Sequence, residues 1–460
     1  MSKRLILALL ATAAAGLASP VLAQGKPSPW SVGEALDAPE GLTVSGSLRL
    51  RYDVIEGQPR PGFTDRDDLI SLRTTLLGEY RKGPVRIGAE FYDSRVWEDD
   101  AGSPAGTSEV NTAELVQAYV AADFDSPFTR GKASVQAGRF TLNLGSRRLV
   151  AADDFRNTTN GYTGVRFDIA LPAGAKATAI WVMPQVRLPE DSASLRDSQV
   201  EWDLESDDLT LWGGVLARPN AFGKTMVEAS YFHLEEKDVA GRPTRDRSLD
   251  SVSLRVIREP ALGRLDYEVE AIGQTGEISA STSPAAARLD VEAGFLHAEL
   301  GYSFATAWKP RLAFEFDYAS GDDGDASYGR FDTLYGMRRA DLAPSGIYNA
   351  VGRSNIVGVG LRLEAAAGPR LDGFVAYRGL WLASASDSFS TSGVRDASGD
   401  SGRYAGQQLE GRVRYWLVPD ALRLEVNALW LDKGRFLRDA PNAPGNGDTA
   451  YATVSLIALF

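Results

Sequence analysis

The chain has 460 residues, 61 acids against 49 bases and a formal charge of −12. That length suits one large barrel or about two to three ordinary domains, and a 44 % apolar content spread throughout excludes disorder as a whole-chain description. The acidic balance argues against a nucleic-acid binder. The absence of cysteine excludes disulfides, zinc ribbons and thiol catalysis, and only two histidines, His233 and His297, remain for metal or triad chemistry.

Residues 1–23 read as a secretory leader. Lys3 and Arg4 form a basic start, Leu5 to Leu17 a short apolar stretch, and Val21 and Ala23 a signal-peptidase site with Gln24 as the new N-terminus. Residues 24–41, with Pro27, Pro29, Trp30 and Pro39, read as a periplasmic lead-in, either disordered or tucked into a barrel mouth. After residue 23 no apolar run approaches the ~18–20 residues of a membrane helix.

The pattern from Leu42 on has period two. Leu42, Val44, Gly46, Leu48, Leu50, Tyr52 and Val54 share one face, while Ser47, Arg49, Arg51 and Asp53 share the other. A strand points successive side chains to opposite sides, so this is one oily and one charged face. The same alternation returns at Leu265 to Gly273, Arg311 to Ala319, Leu409 to Tyr415 and Leu422 to Trp430. Long connections rich in Asp, Gly and Ser, such as 55–67, 98–111, 144–161, 186–208, 321–352, 384–404 and 434–448, alternate with tight ones such as 81–84, 172–174 and 418–420. Seventeen connections join eighteen strands. Even strand number with long and short loops in alternation predicts an all-β fold, a closed antiparallel 18-stranded transmembrane β-barrel of the outer-membrane porin type over residues 42–460. Tyr52, Tyr80, Trp97, Tyr302, Tyr318, Tyr377, Trp381 and Trp430 suit interfacial girdles. The final strand, Tyr451 to Phe460, ends on a phenylalanine like the assembly signal of outer-membrane proteins.

Charge facing hydrocarbon at the midplane costs ~2–4 kcal/mol, so the charged faces are expected to line the lumen. Only nine of the 49 bases are lysine. The pore-lining candidates are Arg49, Arg51, Arg73, Arg139, Arg148, Arg166, Arg362, Arg412, Arg414 and Arg423. Such arginines either form a track for an anionic solute or pair with Asp and Glu on neighbouring strands and brace the wall. Arginine outnumbers acid at Arg49, Arg51 and Arg73 and at Arg412, Arg414 and Arg423. The outer loops carry acidic clusters at Glu98-Asp99-Asp100, Glu190-Asp191, Asp203 to Asp208, and Asp322, Asp323 and Asp325; the last is a weak calcium candidate, and all are expected to be solvated.

Residues 138–166 resemble the alginate export family of outer-membrane barrels, through Gly138-Arg139, Gly145, Arg148-Leu149, Arg156-Asn157 and Gly164-Val165-Arg166. A second stretch is similar to the same family: Ala319-Ser320-Gly321-Asp322, Arg330-Phe331-Asp332-Thr333-Leu334-Tyr335 and Arg353-Ser354-Asn355. Tyr162-Thr163-Gly164 and Phe155 depart from the family pattern. The resemblance implies an eighteen-stranded barrel exporting an anionic polysaccharide such as alginate through an arginine-lined pore.

The expected function is therefore a passive channel for an anionic or hydrophilic solute, with a general porin as the alternative; neither needs a nucleophile, metal or cofactor. An outer-membrane enzyme would have to use His233 near Glu235 and Glu236, or His297 near Glu299. A plugged energy-coupled receptor does not fit the short lead-in. The expected partners are outer-membrane lipid and lipopolysaccharide, the solute, and the barrel-assembly machinery through Phe460. Any gate is expected in residues 24–41 or in an outer loop folded inward, the best loops being 144–161, with Arg147, Arg148 and Arg156, and 321–352, with Arg338 and Arg339.

Overall fold

The computed structural model describes residues 29–97, 101–129, 131–239, 241–337 and 341–460. The expected leader, the acids Glu98, Asp99 and Asp100, and Arg338 and Arg339 lie outside these residues.

Among the described residues one sheet of nineteen strands closes on itself. In order they are β1 (Leu42–Glu56), β2 (Arg66–Lys82), β3 (Val85–Trp97), β4 (Asn111–Asp125), β5 (Lys132–Thr141) and β6 (Gly161–Ala170). There follow β7 (Lys176–Pro184), β8 (Leu209–Phe222), β9 (Thr225–Glu236), β10 (Ser248–Arg258), β11 (Arg264–Ser279), β12 (Arg288–Ser303) and β13 (Arg311–Ala319). After β14 (Ser327–Tyr328) come β15 (Ile356–Ala366), β16 (Leu371–Trp381), β17 (Tyr404–Val418), β18 (Leu422–Lys433) and β19 (Thr449–Leu459). The two-residue β14 lies parallel on β12, while β13 pairs directly with β15. The other eighteen strands form an antiparallel barrel, sealed where β1 pairs β19 from Ser47↔Leu459 to Glu56↔Ala450.

The seam continues past the last strand. Gly46 N–H donates to Phe460 O at 2.7 Å and Phe460 N–H donates back to Gly46 O at 3.1 Å. A side chain at position 46 would overlap the Thr75 carbonyl oxygen 2.3 Å away and the Phe460 ring 2.6 Å away, so glycine is required there.

Alternation sets the two faces. Leu48, Leu50 and Tyr52 are exposed while Arg49, Arg51 and Asp53 between them are buried. On β13, Leu312, Phe314 and Tyr318 face out and Arg311, Glu315 and Asp317 face in. Of the expected girdle residues, Tyr52, Tyr80, Trp97, Tyr302, Tyr318 and Tyr377 are exposed on the outer surface. One rim carries tight turns at 83–84, 223–224 and 419–421; the other carries long loops, including 142–160, 185–208, 320–355 and 382–403. Residues 29–41 sit at the tight-turn rim, where Ser31 caps a short helix, Val32–Ala35, and Gly41 O accepts from Arg81 N–H at 2.8 Å.

The main apolar core lies inside the barrel. At the long-loop end, inward residues turn oily: Ile55, Leu69, Phe140, Tyr162, Phe232, Leu234, Leu249 and Ile272. They pack against Leu149, Val150 and Phe155 of one loop and Phe331, Leu342, Ile347 and Val351 of another.

Leu254 is exposed near the middle of β10. Leu254→Arg is expected to destabilise the barrel by ~2–4 kcal/mol in reversible unfolding from phospholipid vesicles. Leu254→Met, on the same face, is expected to cost less than about 1.5 kcal/mol.

Candidate functional site: two loops folded into the lumen

Loop 142–160 carries Leu142, Leu144, Leu149, Val150, Ala151, Ala152 and Phe155, all buried. Loop 320–355 buries Phe331, Met337, Leu342, Ala343, Ile347, Tyr348, Ala350 and Val351. Segments this apolar gain by leaving water, and the barrel interior is the surface that accepts them. The two loops join edge to edge. Tyr335 N–H donates to Leu149 O at 2.9 Å, Ala151 N–H to Tyr335 O at 3.1 Å, and Met337 N–H to Arg147 O at 3.0 Å. The Tyr335 ring meets Tyr162 edge-on, with centroids 5.8 Å apart. Both gate loops expected from sequence thus fold inward, and they do so as one body.

One side of this body is tied by charge. Arg148 donates Nε and Nη2 to the two carboxylate oxygens of Asp341, each at 2.8 Å, and Nη1 to Glu268 and Glu270 on β11. Arg353 donates Nε to Asp341 at 2.8 Å and Nη2 to Met337 O at 2.7 Å. Burial alone would push the Asp341 carboxyl up, but Arg148 and Arg353 hold it well below the usual carboxylate range. Arg148 is therefore the bolt between loops and wall, and Asp341 and Arg353 are partners that charge counting along the strands could not find.

The opposite side is held by β1 and β2. Arg49 donates to Asp154 O at 3.1 Å, Phe155 O at 3.3 Å, Arg156 O at 2.5 Å and Asn157 Oδ1 at 3.2 Å. Arg51 donates to Phe155 O at 2.7 Å and stacks its guanidinium 4.5 Å above the Phe155 ring. Arg73, directly opposite Arg49 in the sheet register, reaches Arg156 O at 3.4 Å and Asp154 O at 3.5 Å.

The motif residues quoted from the sequence dock these loops. Asn157 Nδ2 donates to Leu72 O, Glu109 O and Arg95 O. Asn355 Nδ2 donates to Ser384 O and Ser388 O, and Arg330 pairs with Asp387 at 2.6 Å. Asp332 pairs with Arg247 at 2.7 Å, and Phe331 stacks on Phe295.

Four of the remaining arginines pair with acids. Arg166 pairs with Asp168 at 2.6 Å, Arg362 with Glu364 at 2.5 Å, Arg414 with Asp372 at 2.6 Å and Arg423 with Glu425 at 3.5 Å. Arg412 lies 5.3 Å from the Phe374 ring centroid. Arg139 does not line the pore. Phe140 beside it is buried in the interior core, so Arg139 shares the outward face with exposed Val135 and stands opposite Thr163. It is bound there by Glu114 and Glu205.

At the calcium candidate, Asp322 and Asp325 are engaged by backbone amides. Asp322 accepts from Gly329 N–H at 3.2 Å and Asp325 from Ser327 N–H at 2.9 Å, and among the described residues no group of acids converges on a metal-sized point. Nor are the acidic loops uniformly solvated. Asp203 is buried, accepting from Leu188 N–H and Asn111 Nδ2 beside Glu114. Burial, with the Glu114 carboxylate next to it, pushes Asp203 up to about 7, and burial does the same to Glu109 in loop 98–110.

Beneath the loops a cavity of about 880 Å³ follows β10–β13 and β15, roofed by Arg147, Arg148 and Asp341. On its wall Glu268, Glu299 and Glu315 stand side by side across three strands. Like charges in such register repel, and arginines interleave to offset this. Arg255 pairs with Glu268, Arg311 with Glu299, Asp266 and Glu364, and Arg378 with Glu315 and Glu410. The lumen thus has a carboxylate-rich, internally braced side. Its other side, β17 through β19 to β1 and β2, carries Arg412, Arg414, Arg423, Arg49, Arg51 and Arg73.

A closed barrel with an inward loop body is the geometry of a channel, and the family model for alginate export matches residues 42–450. The chain belongs to the alginate export family. Like other alginate export proteins it is an outer-membrane barrel, and it forms an outer-membrane channel. Its fold is similar to that of solved Pseudomonas aeruginosa structures. OccK9 (OpdG) matches at TM-score 0.60 and 14 % identity, covering 92 % of this chain and 98 % of that one. OccK8 (OprE) matches at TM-score 0.58 and 11 % identity, covering 92 % and 98 %. OccK2 (OpdF), solved in complex with glucuronate, matches at TM-score 0.55 and 13 % identity, covering 91 % and 98 %. No match was found among curated proteins.

Removing one member of a buried ion cluster costs ~3–5 kcal/mol, so Arg148→Met is expected to lower the melting temperature and increase open-channel flicker in single-channel recordings. Flicker equal to that of the native protein would show that the bolt does not hold the loops. Asp203 holds a proton in the folded loop that an ordinary carboxyl loses near about 4. Its contribution is therefore fully present below that pH and is lost as pH rises to about 7. Backbone hydrogen exchange across 188–205 is expected to be slower at low than at high pH after correction for intrinsic rates, and Asp203→Asn is expected to flatten the difference.

Proposed function

We propose that the channel passes an anionic solute of the sugar-carboxylate kind by passive diffusion. The observation that carries this reading is the arginine side of the lumen. Among the described residues Arg49, Arg51 and Arg73 have no carboxylate within ion-pair distance; they bond backbone carbonyls, with Asn157 Oδ1 on Arg49 and Ser455 Oγ on Arg51. Asp53 and Glu425 offset their positive charge only from beyond ion-pair distance, which leaves guanidinium donors to act on a solute. Guanidinium grips a carboxylate with two parallel bonds, and burial beside the loop body strengthens the field. The glucuronate held by OccK2 is of this chemical class. An alginate-type polyanion is the extended form of the same chemistry.

Charged rings favour one sign of ion by offsetting its desolvation, and this work needs no cofactor. The histidines support a structural role. His297 Nδ1 lies 2.8 Å from Asp317 and His233 Nδ1 lies 2.9 Å from Asp250, each used in a cross-strand pair. The bracing of Arg166, Arg362 and Arg414 by acids is the observation that favours the second reading, a general porin. On either reading, the leader ending near Ala23 directs export, and Phe460 addresses the barrel-assembly machinery. Outer-membrane lipid and lipopolysaccharide surround the wall.

Reversal potentials in planar bilayers under a salt gradient test the anionic reading. The native channel is expected to prefer anions, and Arg51→Ala and Arg412→Ala to reduce that preference severalfold. A native pore preferring cations, unchanged by both substitutions, would overturn it.

A further inference from the structure

We propose that Arg49, Arg51 and Arg73 form a carboxylate-binding site that the protein fills with its own backbone, the carbonyls of residues 154–156 standing in for the ligand. An anionic solute then opens its path by displacing that loop tip. This rests on the anion-channel reading above and adds to it a self-occupied site.

The argument begins with unequal partners. Arg255, Arg311, Arg362, Arg378 and Arg414 each reach a carboxylate on a strand. Arg49 and Arg51 are equally buried, yet what they hold in the loop is chiefly carbonyl oxygen. A charge-assisted bond to an ionised acceptor is roughly twice as strong as one between neutral groups. A carboxylate, charged on both oxygens, therefore competes well against a carbonyl. Arg49 and Arg73 also face each other in register, an arrangement of like charges that an anion between them relieves. The Nε atoms of both are buried with no hydrogen-bond partner, so the site has donors that the loop leaves unused.

The tip lies between two anchors. On one side of it, Asn157 is pinned to three carbonyls of the wall and the neighbouring loop. On the other, Val150 is bridged to Tyr335 and Arg148 is bolted to Asp341. Residues 153–156 span the gap between these anchors. They are held down by the carbonyl set, by the stack of Arg51 on Phe155 and by the burial of Phe155 in the interior core, so the ligand has to compete with all three.

The test uses the intact barrel in vesicles. The chain has no cysteine, so Ser71→Cys gives a unique thiol at a buried position directly opposite Arg51 in the sheet. Its rate of reaction with a water-soluble maleimide is expected to rise severalfold with trigalacturonate and to be unaffected by neutral maltotriose. In the Arg49→Gln, Arg51→Gln, Arg73→Gln background the thiol is expected to react fast without ligand and to ignore trigalacturonate. If that background fails to fold, Arg73→Gln alone, which loses only the two longest bonds, is expected to raise the basal rate. Single-channel current is recorded in parallel. Trigalacturonate that blocks current without changing the labelling rate overturns the self-occupied site and leaves the anion channel standing. Neither block nor acceleration overturns both.

Discussion

A charged side chain cannot sit against hydrocarbon, and this single prohibition organises the molecule. It sets the phase of the strands across the apolar band, because Arg49, Arg311 or Glu268 turned outward would face lipid tails. It also forces an accumulation of charge inside, where two loops then exclude much of the water. Charges brought into such a space must find partners or carry a desolvation penalty of several kcal/mol each. The row Glu268, Glu299 and Glu315 with its interleaved arginines is the consequence. So is Arg148, which meets three carboxylates from two parts of the chain.

The barrel was legible because its rules are local. Alternation is read within one strand, and the tight turns carry residues suited to them, such as Gly83 and Asp420, both at positive φ. Loop limits read as 98–111, 144–161 and 434–448 fall within two residues of those observed. The rule of oily outside and charged inside fails where it meets the loops. Phe140, Tyr162, Phe232 and Leu234 point inward, because near the long-loop rim the lumen is a packed core and not water. Arg139 shows the same failure in reverse. Close to the rim, loop acids such as Glu205 reach over the barrel edge, so an arginine is tolerated on the outward face.

The loop body was legible only in part. Their length and their arginines marked 144–161 and 321–352 as segments that turn inward. Which residue meets which was hidden, since the contacts join positions far apart in sequence: Arg49 with Phe155, Arg148 with Asp341, Tyr335 with Leu149. The motif residues Arg156-Asn157, Arg330 to Tyr335 and Arg353 to Asn355 did carry a signal. Polar side chains amid apolar loop sequence serve as docking points, each satisfying backbone groups that the buried loop would otherwise leave without partners.

Arginine suits both roles that this lumen requires, and the choice between them is made by the acceptor. A guanidinium presents five donors in a plane, so Arg148 can bridge three carboxylates and Arg49 can collect four oxygens from a curved loop. Lysine, a point charge with three donors, could copy neither pattern. Where the acceptor is a carboxylate the cation is neutralised and the pair becomes part of the wall. Where the acceptor is a carbonyl the geometry is satisfied but the charge is not, and the residual field remains for whatever enters the channel. The distinction between a brace and a recognition group in this barrel is therefore one of formal charge on the partner, and the strand sequence, which shows the arginines but not their acceptors, cannot express it.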